Sequence, residues 1–366
     1  MLNFDNASTT KISKSALDTY VNESECFYNP SALYLGGVQA KSKIEEARQY
    51  FINYFKGKDK STFIFTGSAS EANNAVINVC ALRKDKKYIF SAGEHSSIHN
   101  TAKTLKEKGY NVEFIKLNPN GSVNIDELLS KIDDTVALVS IIHVSNETGA
   151  INDIAKITKK VKSINQNTMV HSDGVQAVGK FKINLRDLGV DFYTISAHKI
   201  HGPKGIGALY IANPNKFKPF IIGGGQEMGL RAGTENTPAI MSFKTALSDI
   251  NIIDYSAHKK AILDNLTGDY ILVSNDECVD NIISICFKGV RGETIEHMLE
   301  DKYLIGTGSA CNSKAGKNRV LSQLVPSDYI DGAIRLSFDN CVTIEDCENV
   351  AKDLSLAVKQ YIERIN

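Results

Sequence analysis

Apolar residues come in short unbroken runs through the first two-thirds of the chain: TFIFT (62–66), KYIFS (87–91), NVEFIKL (111–117), VALVSII (136–142), TMVHS (168–172), DFYTIS (191–196) and GALYI (207–211). Runs of this length, rich in β-branched and aromatic residues, predict strands buried on both faces. Between them lie SEANNAVINVCALRK, SIHNTAKTLKEKG and DIAKITKKVKSINQ, whose apolar positions recur every three or four residues and predict amphipathic helices. Such alternation predicts an α/β fold on a mostly parallel, seven-stranded sheet. Near residue 250 the pattern changes to YILVS, IISICFK, a helical GETIEHMLEDK, GAIRLSF and a closing helix from Ile344 to Ile365. This predicts a smaller α+β domain, joined from the other end of the chain by LNFDNASTT. The expected division is 14–250 for the large domain and 1–13 plus 251–366 for the small one.

Composition narrows the function classes. A chain of 366 residues with 42% hydrophobic content exceeds one ordinary core and supports two domains. Its 42 basic residues balance 42 acidic ones, so no long-range field draws it to nucleic acid or an anionic membrane. Seven scattered cysteines without a C-x-x-C pair argue against a disulfide framework and a structural zinc site. With no signal-peptide core at the amino terminus and no long apolar span, the expectation is a soluble, cytoplasmic protein with reduced thiols.

In a parallel sheet, ligands collect at the carboxyl ends of the strands, where helices begin. After the first strand comes GSASEANN, in which Gly67 permits a tight turn and Ser68 and Ser70 offer hydroxyls; a phosphate cradle and an ordinary capping box (Ser68 with Glu71) both explain it. The loops EHSSIH, NETG, DGVQ and AHK place His95, Asn146, Asp173, Gln176, Ser196, His198 and Lys199 at strand ends of one sheet. Helix-end amides and hydroxyls suit a phosphate, a buried carboxylate suits a protonated ring nitrogen, and a lysine amine suits an aldehyde. Pyridoxal 5′-phosphate carries all three groups. His95 and His99 lie four apart but lack the H-E-x-x-H pattern, and GPKGIG is not a P-loop, so no metal site and no nucleotide site is expected.

Taken in order, DNASTT, NPSA, FTGSASEANN, EHSSI, NETGAI, HSDGVQAVGK, SAHKIHGPKGIGALY, GGGQEMGLRAGTEN, GSACNS and GAIRLSF resemble the motifs of cysteine desulfurases, which are class V, fold-type I pyridoxal-phosphate enzymes. The resemblance spans essentially the whole chain. It implies that Lys199 is the Schiff-base lysine, Asp173 the partner of the pyridinium nitrogen, Gln176 a donor to the phenolic oxygen, and His95 the ring-stacking histidine that also moves protons. It makes Ala69 (by its backbone), Ser70, Ser196 and His198 the phosphate cradle, and gives Asn146 and Arg335 to the substrate carboxylate. Thr234 is expected to reach the phosphate of a neighbouring subunit, which implies a homodimer. Cys311, in a loop of small residues from about 306 to 318 with Lys314 and Lys317 nearby, resembles the nucleophile that takes sulfur from L-cysteine as a persulfide, leaves L-alanine and passes the sulfur to an acceptor protein. Selenocysteine lyase and other class V aminotransferases or lyases are the alternatives. Ser70 stands where threonine is usual, and Gly308 and Ala232 where serine is usual, which leaves the subclass open.

Overall fold

The computed structural model describes residues 1–307 and 318–365. The chain opens with β1 (Leu2–Phe4) and passes through α1 (Lys14–Ser24) and α2 (Leu35–Tyr54). Strands and helices then alternate as β2 (Thr62–Thr66), α3 (Ala69–Cys80), β3 (Lys87–Ser91), α4 (Ser96–Glu107), β4 (Asn111–Ile115), α5 (Ile125–Ser130), β5 (Val136–Ser140) and α6 (Ile154–Ile164). After β6 (Met169–Asp173), α7 (Leu185–Leu188), β7 (Phe192–Ser196) and β8 (Gly207–Ile211), helices α8 (Thr237–Ser248) and α9 (Ser256–Asn265) lead to a second set. That set is β9 (Tyr270–Leu272), β10 (Ile282–Phe287), α10 (Gly292–Leu299), β11 (Tyr303–Thr307), α11 (Ser327–Ile330), β12 (Ala333–Ser337) and α12 (Ile344–Ile365).

The larger sheet has the order β2-β8-β7-β6-β5-β3-β4, and β8 alone runs against its neighbours, antiparallel to both β2 and β7. The fold class expected from the sequence is thus the observed one. All seven anticipated strands are present, with ends shifted by up to two residues: the apolar runs at 111 and 136 stop pairing as strands at Ile115 and Ser140. Apolarity continues past β5 because Ile141 and Ile142 remain buried in the loop, where the Ile142 N–H is taken by the Glu94 carboxylate at 2.7 Å.

Alternate strand residues feed two cores. Phe63, Phe65, Ile195 and Tyr210 face α2, α6 and α8, whereas Ile64, Tyr88, Phe90 and Leu209 face α3 and α4. Phe51 of α2 anchors the first core by edge contacts with Phe63, Phe65 and Phe243, ring centroids 4.9–5.5 Å apart.

The second sheet, in the order β1-β11-β12-β10-β9, packs Phe4, Ile285, Phe287 and Leu336 against Val350 and Leu354 of α12. The amino terminus joins this layer: β1 pairs in parallel with β11, Leu2 opposite Tyr303. One strand was hidden. β11 includes Gly306 and Thr307, which the sequence reading assigned to the cysteine loop. Gly306 weakens the strand signal, and the structure shows why it is small: a β-carbon there would meet Asp5 Oδ1 at 2.8 Å and the Arg335 guanidinium at 3.0 Å. None of the described helices is long and apolar enough to cross a membrane.

Candidate active site

The carboxyl ends of β2, β3, β5, β6 and β7 share one edge of the large sheet, and the residues just beyond them converge. Asp173 closes β6, 3% exposed, its Oδ2 accepting from Asn73 Nδ2 at 2.8 Å and its Oδ1 from the Val175 N–H at 3.0 Å. The same Asn73 amide donates to Ser97 Oγ at 3.0 Å, and Ser97 Oγ lies 2.9 Å from His95 Nδ1. A continuous polar chain therefore runs from the His95 loop to the Asp173 carboxylate.

On the other side, Lys199 follows β7 in a 3₁₀ turn and donates from Nζ to the carbonyls of Ala7 at 2.5 Å and Ser8 at 2.7 Å. Gln176 Nε2 donates to the same Ala7 carbonyl at 2.8 Å. The amino-terminal strap also carries the third group. Arg335 of β12 donates from Nη2 to Asp5 Oδ1 at 2.6 Å and Ser8 Oγ at 2.7 Å, and from Nη1 to the Asn146 carbonyl at 2.9 Å. Among the described residues its Nε is buried without a partner.

The cradle forms where α3 begins. Ser68 caps the helix, accepting the Glu71 N–H at 3.1 Å, while Glu71 Oε2 accepts the Gly67 N–H at 2.8 Å and Arg231 grips the same carboxylate. Ser68 thus caps the helix as the sequence allowed, with Glu71 reaching Gly67 rather than the cap itself, and Ser70 in the first turn is exposed. Gly207 of β8 lets that end approach, because a β-carbon there would lie 2.8 Å from Ala69 N. Ser196, 4% exposed, ends the adjacent β7. A twelve-residue helix presenting its amino terminus beside serine hydroxyls is a site for an anion.

Burial lowers the proton affinity of the His95 ring, with the nearby Lys199 and Arg319 charges acting in the same direction and Asp173 opposing them. His198 is lowered to about 4 by burial and then by Lys199; its Nδ1 lies 3.1 Å from Thr9 Oγ1. Glu94, fully buried beside His95, is pushed up by desolvation and by Asp173.

The aminotransferase class-V family matches residues 2–350. The chain belongs to that family. Within it, the chain is 33% identical to the cysteine desulfurase of Nostoc sp. over 99% of its own length and 92% of the relative's. It is also 33% identical to cysteine desulfurase IscS 1 of Archaeoglobus fulgidus over 85% of the chain and 84% of that protein. Among solved structures, a NifS-like protein superposes with a TM-score of 0.87 at 30% identity, covering 98% of this chain and 99% of the other. A structure titled SspA in complex with cysteine gives 0.83 at 28% identity over 92% of this chain and 99% of the other. The chain is a member of the cysteine desulfurase group.

The donor set fits pyridoxal 5′-phosphate: a buried carboxylate held only by neutral donors among the described residues, an amine on two carbonyls, and a helix amino terminus with serine hydroxyls. Of the residues singled out from sequence, Asp173 and His95 are joined by one network of bonds and Lys199, Gln176, Arg335 and Asn146 by another on the amino-terminal strap, while Ala69, Ser70 and Ser196 lie at adjoining strand ends. Thr234 is exposed and no bond ties it to these groups. Cys311, Lys314 and Lys317 lie outside the described residues. Sequence reasoning passed over Asn73, Ser97 and Asp5, although a wholly buried asparagine one turn into an amphipathic helix is a signal in itself.

Proposed function

We propose that this protein is a pyridoxal-phosphate-dependent cysteine desulfurase that converts L-cysteine to L-alanine and carries the sulfur on Cys311. When bound, the cofactor supplies an aldehyde for an amine and a ring that accepts electrons. Lys199 would hold it covalently, Asp173 would keep its ring nitrogen protonated, Gln176 would donate to its phenolic oxygen, and Ala69, Ser70, Ser196 and His198 would take its phosphate.

The remaining work falls to the chain's own residues. Arg335 is pre-oriented by Asp5 and Asn146 beside the Lys199 strap, where its guanidinium suits a substrate carboxylate. Asn146 lies beside it. His95, neutral at pH 7 because burial lowers its proton affinity, is suited to accept a proton and return it. The Cys311 thiolate attacks the substrate sulfur, so that cysteine plus enzyme thiol gives alanine plus enzyme persulfide, balanced in atoms and electrons. An acceptor protein then removes the outer sulfur, and the free thiols of half-buried Cys80 and buried Cys286 and Cys347 suit a reducing compartment such as the cytoplasm. Exposed Phe27, Leu33 and Leu35 form an apolar surface beside NPSA, which together with exposed Thr234 favours a homodimer.

The observation that carries this reading is that Lys199, Gln176 and Arg335 meet on the Ala7–Ser8 strap while His95 lies under the influence of both Lys199 and Asp173. To test it, purified protein is given L-cysteine, alanine is measured, and the cysteine peptides are weighed. Cys311→Ala is expected to keep the visible absorbance of the bound cofactor while forming no alanine and no persulfide; Lys199→Ala is expected to lose absorbance and turnover together. Wild-type turnover by Cys311→Ala would overturn the assignment.

A further inference from the structure

The segment from Asn318 to Val325 packs against the second sheet through its apolar side chains. Leu321 and Val325 join Cys286 of β10 and Ala333 of β12 in one buried cluster, and Asn318 Oδ1 accepts the N–H groups of Val320 at 3.2 Å and Leu321 at 3.0 Å where a 3₁₀ turn (Leu321–Gln323) begins. Arg319 lies in this segment, yet its side chain serves the other sheet. Its Nη2 donates to the Glu94 carbonyl at 2.6 Å, the one hydrogen bond that the guanidinium makes among the described residues. The Glu94 carboxylate does not hold it: Oε1 takes the Ile142 N–H at 2.7 Å, and Oε2, like Arg319 Nη1, is buried without a partner among the described residues.

That carbonyl belongs to the peptide joining Glu94 to His95. On its far side His95 is tied to α4, which it caps: its Nδ1 accepts the Ser97 N–H at 3.2 Å, and its carbonyl accepts the N–H groups of Ile98 at 2.9 Å and His99 at 3.0 Å. The peptide before it lies in neither helix nor strand, and no described group other than Arg319 donates to its oxygen. A backbone oxygen in the protein interior must find a donor, and losing this one would let the peptide turn toward another. The charged and titratable groups facing the His95 ring are Asp173, Lys199, His198 and Arg319, with Glu94 adjoining it in the chain. Arg319 thus meets His95 twice, by a bond to its leading peptide and by its charge.

We propose that Arg319 is a positioning residue that acts through His95: its bond to the Glu94 carbonyl fixes the peptide from which the His95 ring hangs, and so aims the ring at the proton it moves. A guanidinium is a strong donor, because a charge-assisted bond is shorter and firmer than one between neutral groups. The segment that carries Arg319 keeps its own apolar anchors, so the side chain is free to act on the loop across from it. The inference rests on the proton-moving role given to His95 above, and the experiment separates the two.

Alanine formation from L-cysteine is timed for the loaded wild type, Arg319→Met and Arg319→Lys. In parallel the His95 ring is titrated by NMR in cofactor-free protein with labelled histidines, its signal identified by its loss in His95→Gln. Arg319→Met keeps a buried stem of similar length and is expected to lower kcat about 10- to 100-fold, the usual result of misplacing a proton-transfer group by about 1 Å. Its KM should stay within about twofold, since Arg335 and Asn146 keep their own bond. The His95 midpoint should move up, because one of the charges that lowers it is gone, and the shift of the neutral ring should change. Arg319→Lys, which retains the charge and one donor, is expected to restore most of the rate and to return the midpoint toward the wild-type value. A merely structural role would not follow the charge in this way. A wild-type shift and midpoint for His95 in Arg319→Met would overturn the inference, as would wild-type kcat or a loss borne by KM alone. If the wild type itself forms no alanine, the reading of the function fails, and the ring signal still decides for or against Arg319.

Discussion

Asn73 shows how much of the site depends on a residue that touches no reacting atom. One amide nitrogen serves Asp173 and Ser97 together, at 2.8 and 3.0 Å, and through Ser97 it fixes the His95 ring. Removing it leaves a buried carboxylate oxygen without a donor, a loss of about 1–3 kcal/mol. Asn73→Ala should therefore lower the unfolding free energy measured in urea by that amount and reduce the fraction of cofactor retained after dialysis. Asn73→Asp should retain less still, because a second carboxylate beside Asp173 forces the pair to share a proton and weakens the partner of a ring nitrogen. Equal retention in Asn73→Asp and the wild type would show that Asp173 does not contact the cofactor.

Strand β2 is an edge of the large sheet, and edges leave backbone groups unpaired. Two side chains cover it. Arg48 of α2 donates to the Phe63 carbonyl and pairs with Glu227 at 2.6 Å, and Glu227 accepts the Phe65 N–H at 3.0 Å. Both partners are nearly inaccessible, and Glu227 and Met228 take left-handed backbone conformations (φ 47° and 60°) to bring the carboxylate there. Glu227→Ala leaves Arg48 with only the half-exposed Glu45 and the Phe65 N–H without its acceptor, and is expected to cost about 1–3 kcal/mol, read from urea unfolding. The double variant Arg48→Met, Glu227→Leu should cost clearly less than the sum of the two single changes, since it removes both charges together. Additive losses would mean that the two side chains act independently.

For the whole molecule, the buried histidines set the acid limit. Burial lowers His143 to about 4 and His171 to about 3, so the folded protein keeps both neutral where the unfolded chain takes up protons near pH 6.5. Their contribution is intact above that value and is lost as pH falls toward 4, about 2 kcal/mol for each at pH 5. Glu94 titrates in the opposite sense, since its raised affinity favours the folded state as protons bind. Unfolding free energy should drop between pH 7 and pH 5, and His171→Gln should reduce the drop; an unchanged slope in that variant would show that His171 does not set it.

Much of the scaffold was legible because buried strands must be apolar throughout and their covering helices apolar on one face, requirements written locally in TFIFT or DIAKITKKVKSINQ. The loops EHSSIH, DGVQ and AHK were legible as chemistry because polar groups at strand ends have few other reasons to be there. The strap was not. Asp5 meets Arg335 across 330 residues, and Ala7 receives both Gln176 and Lys199 through a backbone carbonyl that every residue type possesses. Local periodicity by itself determined which segments form the sheet and at which of its ends the chemistry lies; the tertiary structure alone decided which charges face one another, because that depends on chain closure and on the water it excludes.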